Sequence, residues 1–107
     1  MQSLIIEYGG VPVEVNEEGF LLHAEQWTPD VAEAIAAEVG IAPLTELHWK
    51  VITFCREDTQ KEGQPPGLRR ISKLSGVGMK ELYQLFPKGP GKLASRVSGL
   101  SKPQGCV

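Results

Sequence analysis

Hydrophobic and polar positions first repeat with a short period. Ser3-Leu4-Ile5-Ile6-Glu7-Tyr8, Gly9-Gly10 and Val11-Pro12-Val13-Glu14-Val15 predict two strands joined by a glycine turn. After Asn16-Glu17-Glu18-Gly19, the stretch Phe20-Leu21-Leu22 predicts a third short strand, giving a small antiparallel meander with one face to cover. The period then becomes helical. Thr28-Pro29-Asp30 has the form of an N-cap, a proline at the first helical position and an acidic first turn, and Val31, Ile35 and Val39 follow at four-residue steps before Gly40. These signals place a first helix over 29–39.

A second helix is expected from about Leu44 to Lys61, with Leu47, Val51, Phe54 and Cys55 on its apolar side and Gly63, Pro65 and Pro66 beyond its end. A third fits Pro66 to Leu74. Ser75-Gly76-Val77-Gly78 breaks it, and Met79, Leu82, Tyr83 and Phe86 outline a fourth that Pro87 closes. Pro90 opens a fifth, with Leu93 and Val97 toward the core and Lys92, Ser95 and Arg96 on the other side, until Gly99 ends it. The expected fold class is α+β: a β-meander packed on an array of about five helices, forming one domain over 1–99. Residues 100–107 contain Pro103 and Gly105 and lack periodicity, which predicts a mobile C-terminal arm. Its seven residues after Leu100 span at most roughly 23 Å, so Cys106 is placed to enter a partner's active site.

With 107 residues, 41% hydrophobic and 22% charged, the chain has material for one modest core. No apolar run approaches the ~20 residues of a membrane span, and no secretory leader is recognisable at the N-terminus. A cytoplasmic location without membrane contact is therefore expected. Two cysteines, Cys55 and Cys106, are too few and too far apart for a disulfide scaffold and are read as free thiols. Charge is segregated: residues 1–60 hold eleven acidic and two basic side chains, and residues 61–107 hold nine basic and two acidic. Such a basic half suits a polyanion, an acidic protein or a thiolate, or pairs with the acidic half of the same fold.

Leu85-Phe86-Pro87-Lys88-Gly89-Pro90, Lys92, Gly99-Leu100, Lys102-Pro103 and Gly105-Cys106-Val107 together resemble the C-terminal signature of the DsrC/TusE family of small sulfur-transfer proteins. The resemblance extends upstream through Gly19, Gln26-Trp27, Gly40-Ile41, His48-Trp49, Pro66, Leu68, Arg69 and Lys73. It implies a β-meander against helices, and a next-to-last cysteine that takes up sulfur as a persulfide and carries it between enzymes. The implied partners are an upstream sulfurtransferase donor and a downstream acceptor, sulfite reductase-like or part of a tRNA-thiolation complex. Members associated with sulfite reductase have a second arm cysteine eleven residues before the terminal one. Here that position is Ser95, which favours a one-thiol relay. The connection over 74–81 is also shorter than is usual in the family.

A thiol with an ordinary pKa of ~8.5 is only a few per cent thiolate at neutral pH, so transfer needs an activating partner or nearby positive charge. Arg69, Lys92, Arg96 and Lys102 are the candidates for docking the arm or stabilising its thiolate. Cys55, on an apolar helix face, reads as core, and His48 and Trp49 read as structural. His23, His48 and the cysteines lack the close-pair spacing of zinc sites, so no metal or other cofactor is expected. Two other functions compete. One is nucleic-acid binding or regulation through the helix–turn–helix outline of 66–86 with Arg69, Arg70, Lys73 and Lys80. The other is a purely structural subunit of a sulfur-metabolising complex.

Overall fold

The computed structural model describes residues 3–103. Strands β1 (Leu4–Tyr8) and β2 (Val11–Val15) pair antiparallel, Leu4 opposite Val15 and Tyr8 opposite Val11. Gly9 and Gly10 make the turn with φ of 58° and 79°, the doubly positive φ that a tight hairpin of this twist demands. Val13 and Val15 are buried while Pro12 points outward. The expected third strand shrinks to a single bridge between Val15 and Leu21. The reason is local. Leu22 N–H still donates to the Glu14 carbonyl at 2.9 Å, but Glu14 N–H donates to the Gln26 side-chain oxygen at 3.0 Å. A side chain thus occupies the ladder position a third strand would use, and the chain turns into a short 3-10 segment at Ala24–Gln26.

Five helices follow: α1 (Pro29–Glu38), α2 (Glu46–Glu62), α3 (Leu68–Leu74), α4 (Met79–Leu85) and α5 (Pro90–Val97). Thr28 Oγ1 accepts from Val31 N–H at 3.1 Å to start α1, with Pro29 next. At α2, Thr45 N–H donates to His48 Nδ1 at 3.0 Å while Thr45 Oγ1 accepts from His48 N–H at 3.4 Å, a capping box with histidine in the usual glutamate place. That box starts the helix two residues beyond Leu44. Gly63, with φ of 81°, stops it.

Helices α2 and α5 serve two apolar clusters. One joins the hairpin and α1, with Tyr8, Val13, Val15, Val31, Ile35, Ile52 and Val97. The other joins α3 and α4, with Val51, Cys55, Ile71, Val77, Leu82, Phe86, Ala94 and Leu100. Because α5 lies between the two, its buried arc is wide, and Pro90, Gly91, Ala94, Ser95 and Val97 all face inward. This corrects the expected polarity of α5: Ser95 is 0% exposed rather than on the outer side.

Asp58 is a buried carboxylate on α2 held by Arg70 of α3 through two hydrogen bonds of 2.8 Å. The Arg70 hydrogen bond, outweighing burial, keeps the Asp58 pKa below its ordinary value. Its contribution is thus present above the unfolded-state pKa and lost as pH falls through the depressed folded value. Arg70→Gln is expected to move acid unfolding to higher pH, read by circular dichroism, and to lower stability throughout the neutral and basic range, where the contribution is fully present. An unchanged acid midpoint would mean the pair contributes nothing measurable.

Candidate functional site

Cys106 lies outside the described residues, and the site is built from the segment that leads to it. Helix α5 ends in a Schellman turn: Leu100 N–H donates to Ser95 O at 3.0 Å and Gly99 N–H to Arg96 O at 3.2 Å, with Gly99 at φ 72°. Two side chains from distant segments take the remaining terminal carbonyls. Trp27 Nε1 donates to Val97 O at 2.8 Å, and Arg56 Nη1 donates to Ser98 O at 2.7 Å. The Arg56 guanidinium also lies 4.1 Å above the Trp27 ring, so one cation–π pair grips the end of the helix. Burial lowers the Arg56 pKa from its ordinary value, and the carbonyl and the ring face replace the water it has lost. An open groove of about 400 Å³ between Trp27, Trp49 and Ile52 borders this clamp.

Beyond the clamp the chain stays on the body for four more residues. Leu100 is 4% exposed in the α3–α4 cluster. Lys102 pairs with Glu18 at 3.1 Å, and Pro103 is buried. The arm expected from Leu100 therefore has a packed first half, and its remainder, with Cys106, falls outside the described residues.

The candidate basic residues divide into two groups. Arg96 donates to Gly19 O at 3.3 Å and pairs with Glu38, which also accepts from Tyr8 Oη at 3.0 Å. Burial and the Glu38 carboxylate together raise the Tyr8 pKa. Arg96 and Lys102 both reach the 16–20 turn, Arg96 through Gly19 O and Lys102 through Glu18, and both are paired with carboxylates, Glu38 and Glu18. Arg69 is exposed on α3 and Lys92 half-buried on α5, and neither side chain makes a hydrogen bond or ion pair with another described residue. The structure does not bring these two to Arg96 and Lys102.

Cys55 is a free thiol, 0% exposed, and burial pushes its pKa up to about 12, reinforced by Asp58 and only partly opposed by the Ser98 hydroxyl. It belongs to the core, as its helix face implies. His48 is structural as well. Its Nε2 bonds Leu85 O at 2.9 Å and its ring stands edge-on to Phe86 at 5.2 Å, fixing the end of α4 ahead of the turn into α5. Among the described residues no group of three His, Cys, Asp or Glu side chains is arranged to hold a metal ion, and no helix is long and apolar enough to cross a membrane. The Trp27–Arg56 clamp and Glu18 were not foreseen. In the sequence Gln26-Trp27 stands out only as part of the family resemblance, and Arg56 is one of just two basic residues before position 61.

The fold and this segment define a small α+β domain in which two helix-borne clusters and a side-chain clamp fix the segment that leads to Cys106. Residues 7–107 match the family described as DsrC like protein, and the chain belongs to that family. It is 42% identical over 102 residues to the protein named sulfite reductase, dissimilatory-type subunit gamma, of Nitratidesulfovibrio vulgaris, covering 95% of this chain and 97% of that one. It is 36% identical over 110 residues to the sulfurtransferase TusE homolog of Haemophilus influenzae, covering 96% and 100%. The solution structure of Allochromatium vinosum DsrC superposes with a TM-score of 0.84 at 38% identity, covering 99% of this chain and 100% of that one.

Proposed function

We propose that this protein is a sulfur-relay carrier whose working group is the Cys106 thiol. Family membership over residues 7–107, a span that runs through Gly105-Cys106-Val107, is the observation that carries this reading. The names of the relatives, a sulfurtransferase and a sulfite reductase subunit, support it. In the transfer step the Cys106 thiolate attacks the outer sulfur of a donor persulfide. The donor S–S bond breaks, its cysteine leaves as a thiolate, and Cys106 becomes the persulfide, with no net oxidation or reduction. Delivery is the same exchange with an acceptor. A donor sulfurtransferase and an acceptor of the sulfite reductase or tRNA-thiolation kind are the partners this reading calls for, in the cytoplasm.

The relay uses one thiol. Ser95 has no redox chemistry to offer and its Oγ is buried, so no 95–106 disulfide or trisulfide interrupts the persulfide form. Arg69 and Lys92 remain the side chains of this body best able to favour an approaching thiolate, since Arg96 and Lys102 already meet carboxylates.

Intact-protein mass spectrometry after incubation with a persulfide-loaded cysteine desulfurase or sulfurtransferase tests the reading. One sulfur, ~32 Da on the nucleophilic thiolate, is expected on wild type and Cys55→Ser but not on Cys106→Ser. An adduct that persists in Cys106→Ser, or none with any donor, would sink the carrier role and leave a structural subunit as the better account.

A further inference from the structure

The ion pairs that join the acidic and basic halves of the sequence use Arg70, Arg96 and Lys102. Arg69, Lys73 and Lys80 make no hydrogen bond or ion pair through their side chains to another described residue. All three belong to one unit, α3, the 75–78 turn and α4. Its inner side is fixed by Ile71, Val77 and Leu82, each 0% exposed. Its outer side leaves Leu74 56%, Met79 40% and Tyr83 46% exposed. Three of the seven large exposed hydrophobic side chains of the described body therefore sit beside three unpaired cations. The acidic side chain in this unit, Glu81, turns back to accept from Gly78 N–H at 3.4 Å.

Position adds to composition. Leu100, the first residue past the Gly99 turn, packs in the cluster formed by Ile71, Val77 and Leu82. Leu100 thus packs against the inner side of the α3–α4 unit, which ties that unit to the segment leading to Cys106. A solvated basic face would carry polar neighbours, whereas leucine, methionine and tyrosine between cations suit the dry centre and charged rim of a protein interface. Phosphate groups gain little from Leu74 and Met79, so the apolar content favours protein over nucleic acid.

We propose that the outer face of α3–α4 is a docking surface for an acidic, apolar-centred surface on the protein that exchanges sulfur with Cys106. This deepens the carrier reading and rests on it. The cations steer the encounter and the apolar residues hold the complex while the tail reacts.

The test titrates wild type, the Arg69→Glu/Lys73→Glu/Lys80→Glu triple variant, Leu74→Ser/Tyr83→Ser and Cys106→Ser against a labelled, persulfide-loaded sulfurtransferase, and separately against duplex DNA. Arg69, Lys73, Leu74, Lys80 and Tyr83 are exposed side chains, and circular dichroism checks that each variant folds. Wild type and Cys106→Ser are expected to bind the sulfurtransferase alike. The triple variant is expected to bind at least ~10-fold more weakly at ~0.05 M salt and to lose most of the salt dependence that wild type shows up to ~0.3 M. The apolar variant weakens binding at both salt concentrations. Equal affinity of the triple variant, no wild-type complex, or salt-dependent binding to DNA alone would overturn the proposal. Reaction of Cys106 with a small-molecule persulfide, followed by mass in the same proteins, reads the carrier chemistry independently. A Lys73→Glu/Lys80→Glu variant, which leaves Arg69 and Lys92 in place, separates the surface from the thiol if it keeps that reaction and loses the protein complex.

Discussion

In the folded protein Cys106 is expected to react with iodoacetamide or a persulfide at least ~100-fold faster than Cys55, and the difference is expected to vanish in denaturant. With its pKa pushed up to about 12, Cys55 is ionised at pH 8 to only ~10⁻⁴, against roughly a quarter for a thiol at an ordinary ~8.5. Thiolate supply alone therefore favours Cys106 by about three orders of magnitude. A more basic thiolate is intrinsically more nucleophilic, by a factor of roughly 40 over this interval at a Brønsted slope of 0.4–0.5. That offset leaves about two orders of magnitude, and complete burial of Cys55 adds the requirement that α2 and α5 part before any reagent arrives. Peptide mapping over a time course gives both rates in one sample. Comparable rates at the two sites would mean that the α2–α5 interface opens readily, and would reopen the question of which thiol carries sulfur.

Sequence separates the core cysteine from the proposed carrier cysteine because each signal is local: Cys55 by helical spacing to Val51 and Phe54, Cys106 by the motif around it. Helix starts were legible for the same reason, since Thr28-Pro29 and Gly89-Pro90 are signals a few residues long. What failed depends on distant segments. The third strand is lost because the Gln26 side chain, twelve positions away, takes Glu14 N–H. Ser95 reads as surface beside Lys92 and Arg96, yet α5 is enclosed by elements from both ends of the chain and even a polar position near the edge of its buried arc is covered. The clamp on the tail's root was equally hidden, because Trp27 meets Val97 across 70 positions and Arg56 meets Ser98 across 42. Charge gave a half-answer. Self-pairing between the halves is real for Arg70, Arg96 and Lys102, while Arg69, Lys73 and Lys80 stay outside it.

The clamp leads to the second large effect, which falls on Gly99. With φ at 72° the residue is in the left-handed region, and a Cβ there would stand 2.5 Å from Trp27 Cδ1 and 2.7 Å from its Cβ and Cγ. Gly99→Ala therefore incurs ~1–2 kcal/mol for the backbone and roughly 1–3 kcal/mol for forcing a packed side chain aside. Trp27 has no free direction to yield, being bonded to Val97 O and stacked under Arg56. The expected loss is about 2–5 kcal/mol, measured by urea unfolding, a large share of the ~5–15 kcal/mol of an ordinary domain. A double-mutant cycle separates the two causes. Trp27→Ala is destabilising by itself, but in that background Gly99→Ala should cost only the backbone share, so the two changes should be clearly less than additive. Strict additivity would show that the collision with Trp27 is relieved by some other movement. A clear departure from additivity would show that the clamp, set by residues far from Gly99 in sequence, holds the turn that ends α5.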